Sequence, residues 1–398
     1  ADRYGYKRTI AASISIKILG YLLMATQRDY IPFLIGCCVL AFGTAIFKPG
    51  VQGTMCQVLT QRNSSVGWGT FYQLVNIGGF LGPPLAHFLY GVSWPAVFYG
   101  CAVIVSLNFL MLLTYKEVPA GGQQVGSPLR VLKITGRNFM NLRLVMFILI
   151  MSGFWLMFMQ LFDMLPNFIV DWVDSSGMVQ ALHLPQFMLQ INSTRGPQLA
   201  QEWMINANPG LIIIAVVFIS YFVSRMRRVM SISLGIAIAS VGLVLAGFST
   251  SGYFCLLGIL VFSVGEMLSS PKMNEYLGVI APAGQKGLYM GYANVPVAVG
   301  WGYGSFLGGQ VYDRMGDKAN LALDYLAKNF SITDVSRTQA FDKLTEVTGL
   351  NAVDATNLLW NTYDPYRLWY QFALIGIVSA IGMLLYSHWI KRHAGMDA

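Results

Sequence analysis

Ten long apolar segments restrict the folds that this sequence can adopt. Each contains about twenty predominantly apolar residues, the length that an α-helix needs to cross a bilayer. They lie at about 8–26, 31–57, 66–90, 94–115, 142–171, 203–224, 228–249, 252–279, 284–312 and 366–390. Charged residues make up only 11% of the chain, against about 25% in soluble domains. Because the segments are continuous rather than alternating in polarity, they predict an all-α polytopic membrane protein.

The loops between the segments differ in charge on the two sides of the predicted membrane. One set is basic, and the opposite set is neutral or acidic. The basic set includes Arg8, Arg62, Arg137, Arg228, Lys286 and Lys391. Since Lys and Arg accumulate in cytoplasmic loops, both chain ends are predicted to be cytoplasmic. The same rule accounts for the net charge of +8, so we expect membrane lipid and no nucleic acid as a partner.

The sequence repeats itself at an offset of about 220 residues. Residues 7–25 resemble residues 227–247 in their basic start and their span rich in Ser, Gly and Ala. The segment IFKPG (46–50) corresponds to SSPK (269–272), because each places a lysine beside a proline. Two similar halves in the same order are typical of transporters built from parallel repeats.

The repeat divides the chain into three parts. We predict an N-terminal bundle of four helices (1–115), a cytoplasmic linker (116–141) and a C-terminal bundle of six helices (142–398). An outer insert at 314–365 has apolar residues at near-helical spacing, which predicts short surface helices. The second half begins with two spans that have no counterpart in the first half. We therefore expect two further helices before residue 1 in the complete protein, so that the N-terminal bundle is truncated.

Among the ionisable residues inside the apolar segments, three are followed by a proline within five residues. They are Lys48, Asp163 and Glu266. Ionisable side chains at membrane depth normally face a bundle interior or a water-filled path. The structural alternatives are a lysine that extends to the membrane surface, an aspartate near the outer surface, and a Glu266–Lys272 ion pair. For each of the three residues, both the functional role and the structural alternative are compatible with the sequence.

Asn76 and Asn208 are single amides within apolar segments. Such amides either bridge helices or bind a ligand, and both roles remain open for each. The sequence lacks paired carboxylates, a catalytic triad, a metal-ligand spacing and a phosphate-binding glycine loop at membrane depth. We therefore expect no enzyme activity, no metal and no cofactor.

Several motifs resemble one family of transporters. The segment DRYGYKR (2–8) is similar to the loop signature of the major facilitator superfamily. The motifs GTAIFKPG (43–50), FYQLVNIGG (71–79), FWLMFMQ (154–160), NP (208–209), GEMLSSP (265–271), VIAP and GLYMGYAN follow in the order typical of the proton-dependent oligopeptide transporter family. This resemblance implies a major-facilitator fold of two pseudo-symmetric bundles. It also implies proton-coupled uptake of small peptides or similar zwitterions across a bacterial inner (plasma) membrane.

The resemblance also implies a set of site residues. The substrate-binding residues would be Lys48, Tyr72, Asn76, Asn208, Glu266 and Tyr292. Lys48 would hold the substrate carboxylate and Glu266 its amino group, so that opposite charges face each other across one cavity. Lys48, Asp163 and Glu266 would take part in proton coupling.

One departure from the family pattern leaves other functions open. Met159 stands where the family has an acid before Gln160, and Asp163 lies about one turn further on, where it would replace that acid. A superfamily transporter of another small organic solute, without proton coupling, is the first alternative and is favoured by Met159. A membrane receptor or scaffold that uses the insert at 314–365 is the second. Acidic residues and an arginine in the expected first helix would favour proton–peptide transport.

Overall fold

The computed structural model describes residues 4–60, 62–117, 128–192 and 195–394. The N-terminal half contains α1 (Tyr6–Thr26), α2 (Tyr30–Val58), α3 (Ser64–Val92), α4 (Trp94–Ser106) and its continuation α5 (Asn108–Leu113). The linker contains α6 (Pro128–Asn138), and its residues 118–127 lie outside the described part of the chain. Each segment predicted as a span in this half is therefore helical over most of its length.

The C-terminal half begins with an interrupted helix. The segment predicted at 142–171 is divided into α7 (Leu142–Phe158), α8 (Gln160–Asp163) and α9 (Leu165–Trp172). Pro166 lies in the first turn of α9, where its missing N–H needs no helical partner. An outer loop follows, with α10 (Ser176–Leu182) and an antiparallel hairpin of β1 (Leu189–Asn192) and β2 (Gly196–Leu199).

Long helices make up the rest of this half. They are α11 (Gln201–Phe222), α12 (Arg228–Gly247), α13 (Gly252–Ile280), α14 (Lys286–Tyr292) with α15 (Asn294–Met315), and α19 (Leu368–Ala394). Within the described residues, eight helices are long and apolar enough to cross a membrane. The predicted spans at 66–90 and 284–312 are helical but are not among those eight. The chain is thus an all-helical polytopic membrane protein apart from the hairpin.

Glycines allow α12 and α13 to pack in unusually close contact. A Cβ atom on Gly258 would lie 2.1 Å from the backbone nitrogen of Ala246, and one on Gly242 would lie 2.3 Å from that of Phe262. Small residues allow membrane helices to approach in this way. Two turns beyond Gly258 on α13, a Cβ on Gly265 would lie 2.4 Å from the nitrogen of Ala239. This packing fixes α13, and with it Glu266, against α12.

The two halves meet at the predicted cytoplasmic end through a buried ionic cluster of Ser65, Arg228, Lys272 and Glu275. Lys272 Nζ donates to Ser65 Oγ at 2.6 Å and lies 2.9 Å from Glu275 Oε2. Ser65 Oγ donates to the same carboxylate oxygen at 3.0 Å, and Arg228 Nε lies 2.9 Å from Glu275 Oε1. Because Ser65 belongs to α3 and the charged residues to α12 and α13, the cluster joins the N-terminal half to the C-terminal half.

The insert at 314–365 contains three short helices, as its spacing predicts. They are α16 (Lys318–Phe330), α17 (Ala340–Thr348) and α18 (Ala352–Tyr363). Trp360 of α18 packs against Trp172, with 5.6 Å between ring centroids, and thereby attaches the insert to the end of α9. Lys318 Nζ lies 5.0 Å from the centre of the Phe341 ring, and burial lowers the pKa of Lys318 to about 8.

Candidate functional site

A central cavity of about 570 Å³ lies between α3, α7 to α9, α11 and α13. It extends from the start of α11, at the predicted outer side, to Glu266 in the middle of α13. Its described lining consists of Tyr72, Val75, Asn76, Gly79, Trp155, Phe158, Phe162, Pro166, Gln201, Glu202, Ile205, Asn206, Asn208, Pro209 and Glu266. Most of these side chains are apolar or aromatic, as in cavities that bind small organic molecules.

Glu266 lies at the inner end of this cavity and is held by two neutral donors. Its side chain is almost fully buried, at 3% exposed. The Tyr72 hydroxyl donates to Oε1, and Asn208 Nδ2 donates to Oε2 at 2.8 Å. Asn208 Nδ2 also lies 2.9 Å from Ser263 Oγ. Since a carboxylate has about four acceptor positions, each oxygen of Glu266 retains capacity for a further donor.

Helix geometry places these partners around Glu266. Asn76 follows Tyr72 by one turn on α3, and its Nδ2 donates to the Tyr72 carbonyl at 2.9 Å. Asn208 precedes Pro209, which lies inside the continuous helix α11. The structure therefore brings together four predicted substrate-binding residues, namely Tyr72, Asn76, Asn208 and Glu266, on three different helices.

The structural alternative for Glu266, an ion pair with Lys272, is not what the structure contains. Lys272 is engaged by Ser65 and Glu275 instead. The reason is geometric, because residues three apart share a helix face, whereas six residues separate Glu266 from Lys272. Glu266 consequently enters the cavity without a basic partner among the described residues.

Lys48 and Tyr292 are not among the described residues that line the central cavity. On α2, Gly43 and Gly50 face α1, and Lys48 lies roughly 150° around the helix from both. Its side chain is exposed. Tyr292 is buried at the linker, where its hydroxyl accepts from Asn138 Nδ2 at 3.2 Å. The structure thus does not bring either residue to Glu266.

Asp163 lies in a second cavity, of about 440 Å³, at the outer side. Its Oδ2 accepts hydrogen bonds from Trp301 Nε1 at 2.9 Å and from Ser305 Oγ at 2.6 Å. Gln201 lines both this cavity and the central one. Asp163 is therefore separated from Glu266 but lies on the same outer approach.

Several cavity residues are not predicted from the sequence, and Trp155 is the clearest of them. Its indole Nε1 is buried and has no hydrogen-bond partner within the described part of the chain. The signal was present, since Trp155 belongs to the motif FWLMFMQ, but the motif alone does not show which side chains face the cavity. Among the residues that the structure describes, no group of three or more His, Cys, Asp or Glu residues is arranged to hold a metal ion.

Two helical halves around a cavity that contains a buried carboxylate are typical of membrane transport proteins. The chain belongs to the Major Facilitator Superfamily, whose family model matches residues 1–305. It is therefore a secondary transporter of small-molecule solutes and an integral multi-pass membrane protein, and the family comprises transporters rather than enzymes.

The relatives and structures named here are similar to this chain at low sequence identity. The chain is 22% identical to "Multidrug resistance protein MdtH" of Yersinia enterocolitica, over 79% of this chain and 72% of that protein. A solved structure of a "POT family transporter in complex with thioalcohol conjugated peptide" is similar, with a TM-score of 0.60, 15% identity and coverage of 98% and 83%. A solved structure of a "bacterial homologue of iron transporter ferroportin in outward-facing state" is also similar, with a TM-score of 0.60 and 13% identity. The match covers 97% of this chain and 84% of that chain. At these identities the structures show the shared fold only.

Proposed function

We propose that this protein is a proton-coupled transporter of small solutes that carry a protonated amine, with small peptides as the first candidates. The observation that carries the proposal is Glu266, a buried carboxylate at the end of the cavity. No Lys, Arg or His is among the described residues that line this cavity. A buried carboxylate needs a cation or a proton. A group that accepts either a proton or a substrate ammonium links the binding of one to the release of the other.

The cavity also supports a second candidate, the export of apolar organic amines. Its walls are mostly aromatic and aliphatic, and Lys48, the residue expected to hold a substrate carboxylate, is not among the described lining residues. The relative from Yersinia enterocolitica named above is called a multidrug resistance protein. Both candidates assign the amine to Glu266, and they differ in the direction of transport and in the need for a carboxylate on the solute. A receptor or scaffold role has less support, because the family transports solutes.

Uptake into proteoliposomes tests the proposal. We expect the full-length protein to accumulate a labelled dipeptide above its external concentration when an inward proton gradient is imposed. When a protonophore dissipates the gradient, the dipeptide should reach only the same concentration on both sides. The matched solute is the same dipeptide with an acetylated amino group, which we expect to be transported poorly. Accumulation that ignores the proton gradient would contradict proton coupling. Export of a lipophilic amine in exchange for protons, without dipeptide uptake, would favour the second candidate.

We further propose that Asp163 receives protons at the outer side before they reach Glu266. Its location in the outer cavity and the position of Gln201 between the two cavities support this role. Asp163→Asn keeps an acceptor for Trp301 but removes the titratable group. We expect at least a threefold loss of proton-driven accumulation, while solute exchange between the two sides of the membrane stays within twofold of the wild-type rate.

Asp313→Asn is the matched control, since Asp313 lines the same outer cavity but has no proposed role in proton transfer. Its accumulation should remain close to that of the unmodified protein. Equal losses in both variants would indicate a general effect of negative charge in this cavity, and the specific role of Asp163 would then be wrong.

A further inference from the structure

The face of α13 below Glu266 carries polar residues at every fourth position. Ser270 and Asn274 follow Glu266 at this spacing, which places them on one face of the helix. Both are deeply buried, with 2% and 7% of their surface exposed. Ser270 Oγ and Asn274 Oδ1 make no hydrogen bond within the described part of the chain. Buried polar atoms without partners are rare in folded proteins, so two on one face require an explanation.

A third unpartnered oxygen faces the same interface from the N-terminal half. Gln52 of α2 is 8% exposed, and its Oε1 has no hydrogen-bond partner among the described residues. Both α2 and α13 end at the predicted cytoplasmic side, where a Cβ on Gly278 would lie 2.8 Å from Cys56 Sγ. Gln52 lies four residues before Cys56, and Asn274 four residues before Gly278. Gln52 and Asn274 therefore each stand one turn before this contact on their own helix, on the face that carries it.

Charged groups lie at the upper end of this row of oxygens and beside its lower part. At the upper end, the Ser270 hydroxyl lies near that of Tyr72, which donates to Glu266. The buried ionic cluster, in which Lys272 and Arg228 flank the single carboxylate of Glu275, lies on another face of α13 beside Asn274. The row thus begins at the proposed proton site and passes a group of charges with an excess of one positive charge.

We propose that Ser270, Asn274 and Gln52 hold a chain of buried water molecules that carries protons from Glu266 towards the cytoplasmic side. This inference rests on the proposed proton role of Glu266. Successive positions four residues apart on a helix are about 6 Å apart, a gap that one water molecule bridges with two hydrogen bonds of about 2.8 Å. A buried water needs two to four polar partners, and the hydroxyl and amide groups supply them. All three side chains are neutral, which suits water better than a metal ion.

The proton balance of the step is simple. The protonated Glu266 carboxyl gives one proton to the nearest water and becomes a carboxylate. Each water in the chain accepts one proton and passes one on, so one proton leaves at the lower end. The next proton from the outer side, or a substrate ammonium, then neutralises Glu266 again.

The buried ionic cluster closes this path in the conformation described. Its excess positive charge repels an additional proton, and Ser65 holds α3 against α13. When the two halves separate at this end, bulk water reaches Asn274 and the proton leaves. This arrangement prevents protons from leaking through the protein without solute.

Two variants test the proton path. Ser270→Ala removes a relay hydroxyl, and Asn274→Leu replaces an amide by an apolar side chain of similar size. We expect each to lower proton-driven accumulation at least fivefold and to leave solute exchange within twofold of the wild-type rate. Ser269→Ala is the matched control, because Ser269 is equally buried but its hydroxyl already donates to the Gly265 carbonyl at 3.0 Å. Unchanged accumulation in both test variants, or equal losses in Ser269→Ala, would overturn the proton path.

A crystal structure of the full-length protein that resolves ordered water tests the chain directly. We expect water density between Ser270 Oγ and Asn274 Oδ1, and next to Gln52 Oε1. A dry interface would overturn the proposal whatever the transport results. This measurement also distinguishes a failure of the water chain from a failure of the proposed function. If the unmodified protein transports without any effect of a proton gradient, the proposed function fails and the proton path fails with it, whereas the water chain itself is still judged by its density.

Discussion

Glu266→Gln should weaken the binding of amine-bearing solutes by about 10- to 100-fold and abolish their proton-driven accumulation. The substitution keeps the size of the side chain, and the glutamine amide still has groups that can bond to Tyr72 and Asn208. It removes the charge that a substrate ammonium requires. A charge-assisted hydrogen bond of this kind contributes about 1.5–3 kcal/mol, which corresponds to about one to two decades in affinity. Competition against a labelled amine solute measures the loss.

Glu202→Gln provides the matched control for this result. Glu202 is the other carboxylate among the described residues of the central cavity, but it lies at the outer end and is exposed. Because water screens its charge, we expect less than a threefold change in affinity. Solutes without an amino group should be affected little by either variant. Equal losses for amine and non-amine solutes in Glu266→Gln, together with a lower melting temperature, would show that Glu266 is structural rather than a ligand.

The positions of the helices could be predicted from the sequence because the membrane requires long apolar segments. The group of Tyr72, Asn208 and Glu266 could be anticipated only through its motifs, since nothing in the local pattern of α3 or α11 shows that they face α13. The same approach predicted that Lys48 faces the cavity, whereas Lys48 is not among its described lining residues. A motif gives the position of a residue along its helix, whereas the cavity depends on how that helix is rotated, and on α2 the glycines turn the opposite face towards α1.

Two other features show where local helix rules are sufficient for a prediction and where they are not. The Glu266–Lys272 pair was one of the structural alternatives, although Glu275 lies three residues from Lys272 on the same face of the helix and is its actual partner. By contrast, the unpartnered oxygens of Ser270 and Asn274 could not be predicted. Whether a buried hydroxyl or amide finds a partner depends on the neighbouring helices, and in this protein the neighbours are α2 and α3 from the other half.

The buried ionic cluster should respond to substitution far more strongly than an exposed ion pair with the same spacing. Glu275→Gln leaves Lys272 buried beside Arg228 without a carboxylate. Loss of one partner of a buried pair costs about 3–5 kcal/mol, so the free energy of unfolding in a denaturant titration should fall by about that amount. Glu346→Gln is the control, because Glu346 pairs with Lys343 three residues away on the exposed insert, where such a pair contributes about 0–1 kcal/mol.

The second consequence of Glu275→Gln is conformational, because the cluster also joins the two halves through Ser65. Without the carboxylate, Ser65 loses one of its two partners and the closed predicted cytoplasmic end is destabilised relative to the open one. The Cys56 thiol lies in this interface against Gly278, so its labelling by a maleimide reports the opening. In a background with the other four cysteines replaced by alanine, we expect faster labelling of Cys56 in Glu275→Gln than in Glu346→Gln.

A double variant separates the two consequences. Adding Lys272→Met to Glu275→Gln removes the unpaired buried cation and should restore much of the stability. It does not restore the link to Ser65, so labelling of Cys56 should remain fast. If the double variant instead labels as slowly as the unmodified protein, charge balance within α13 rather than the contact with α3 keeps this end closed.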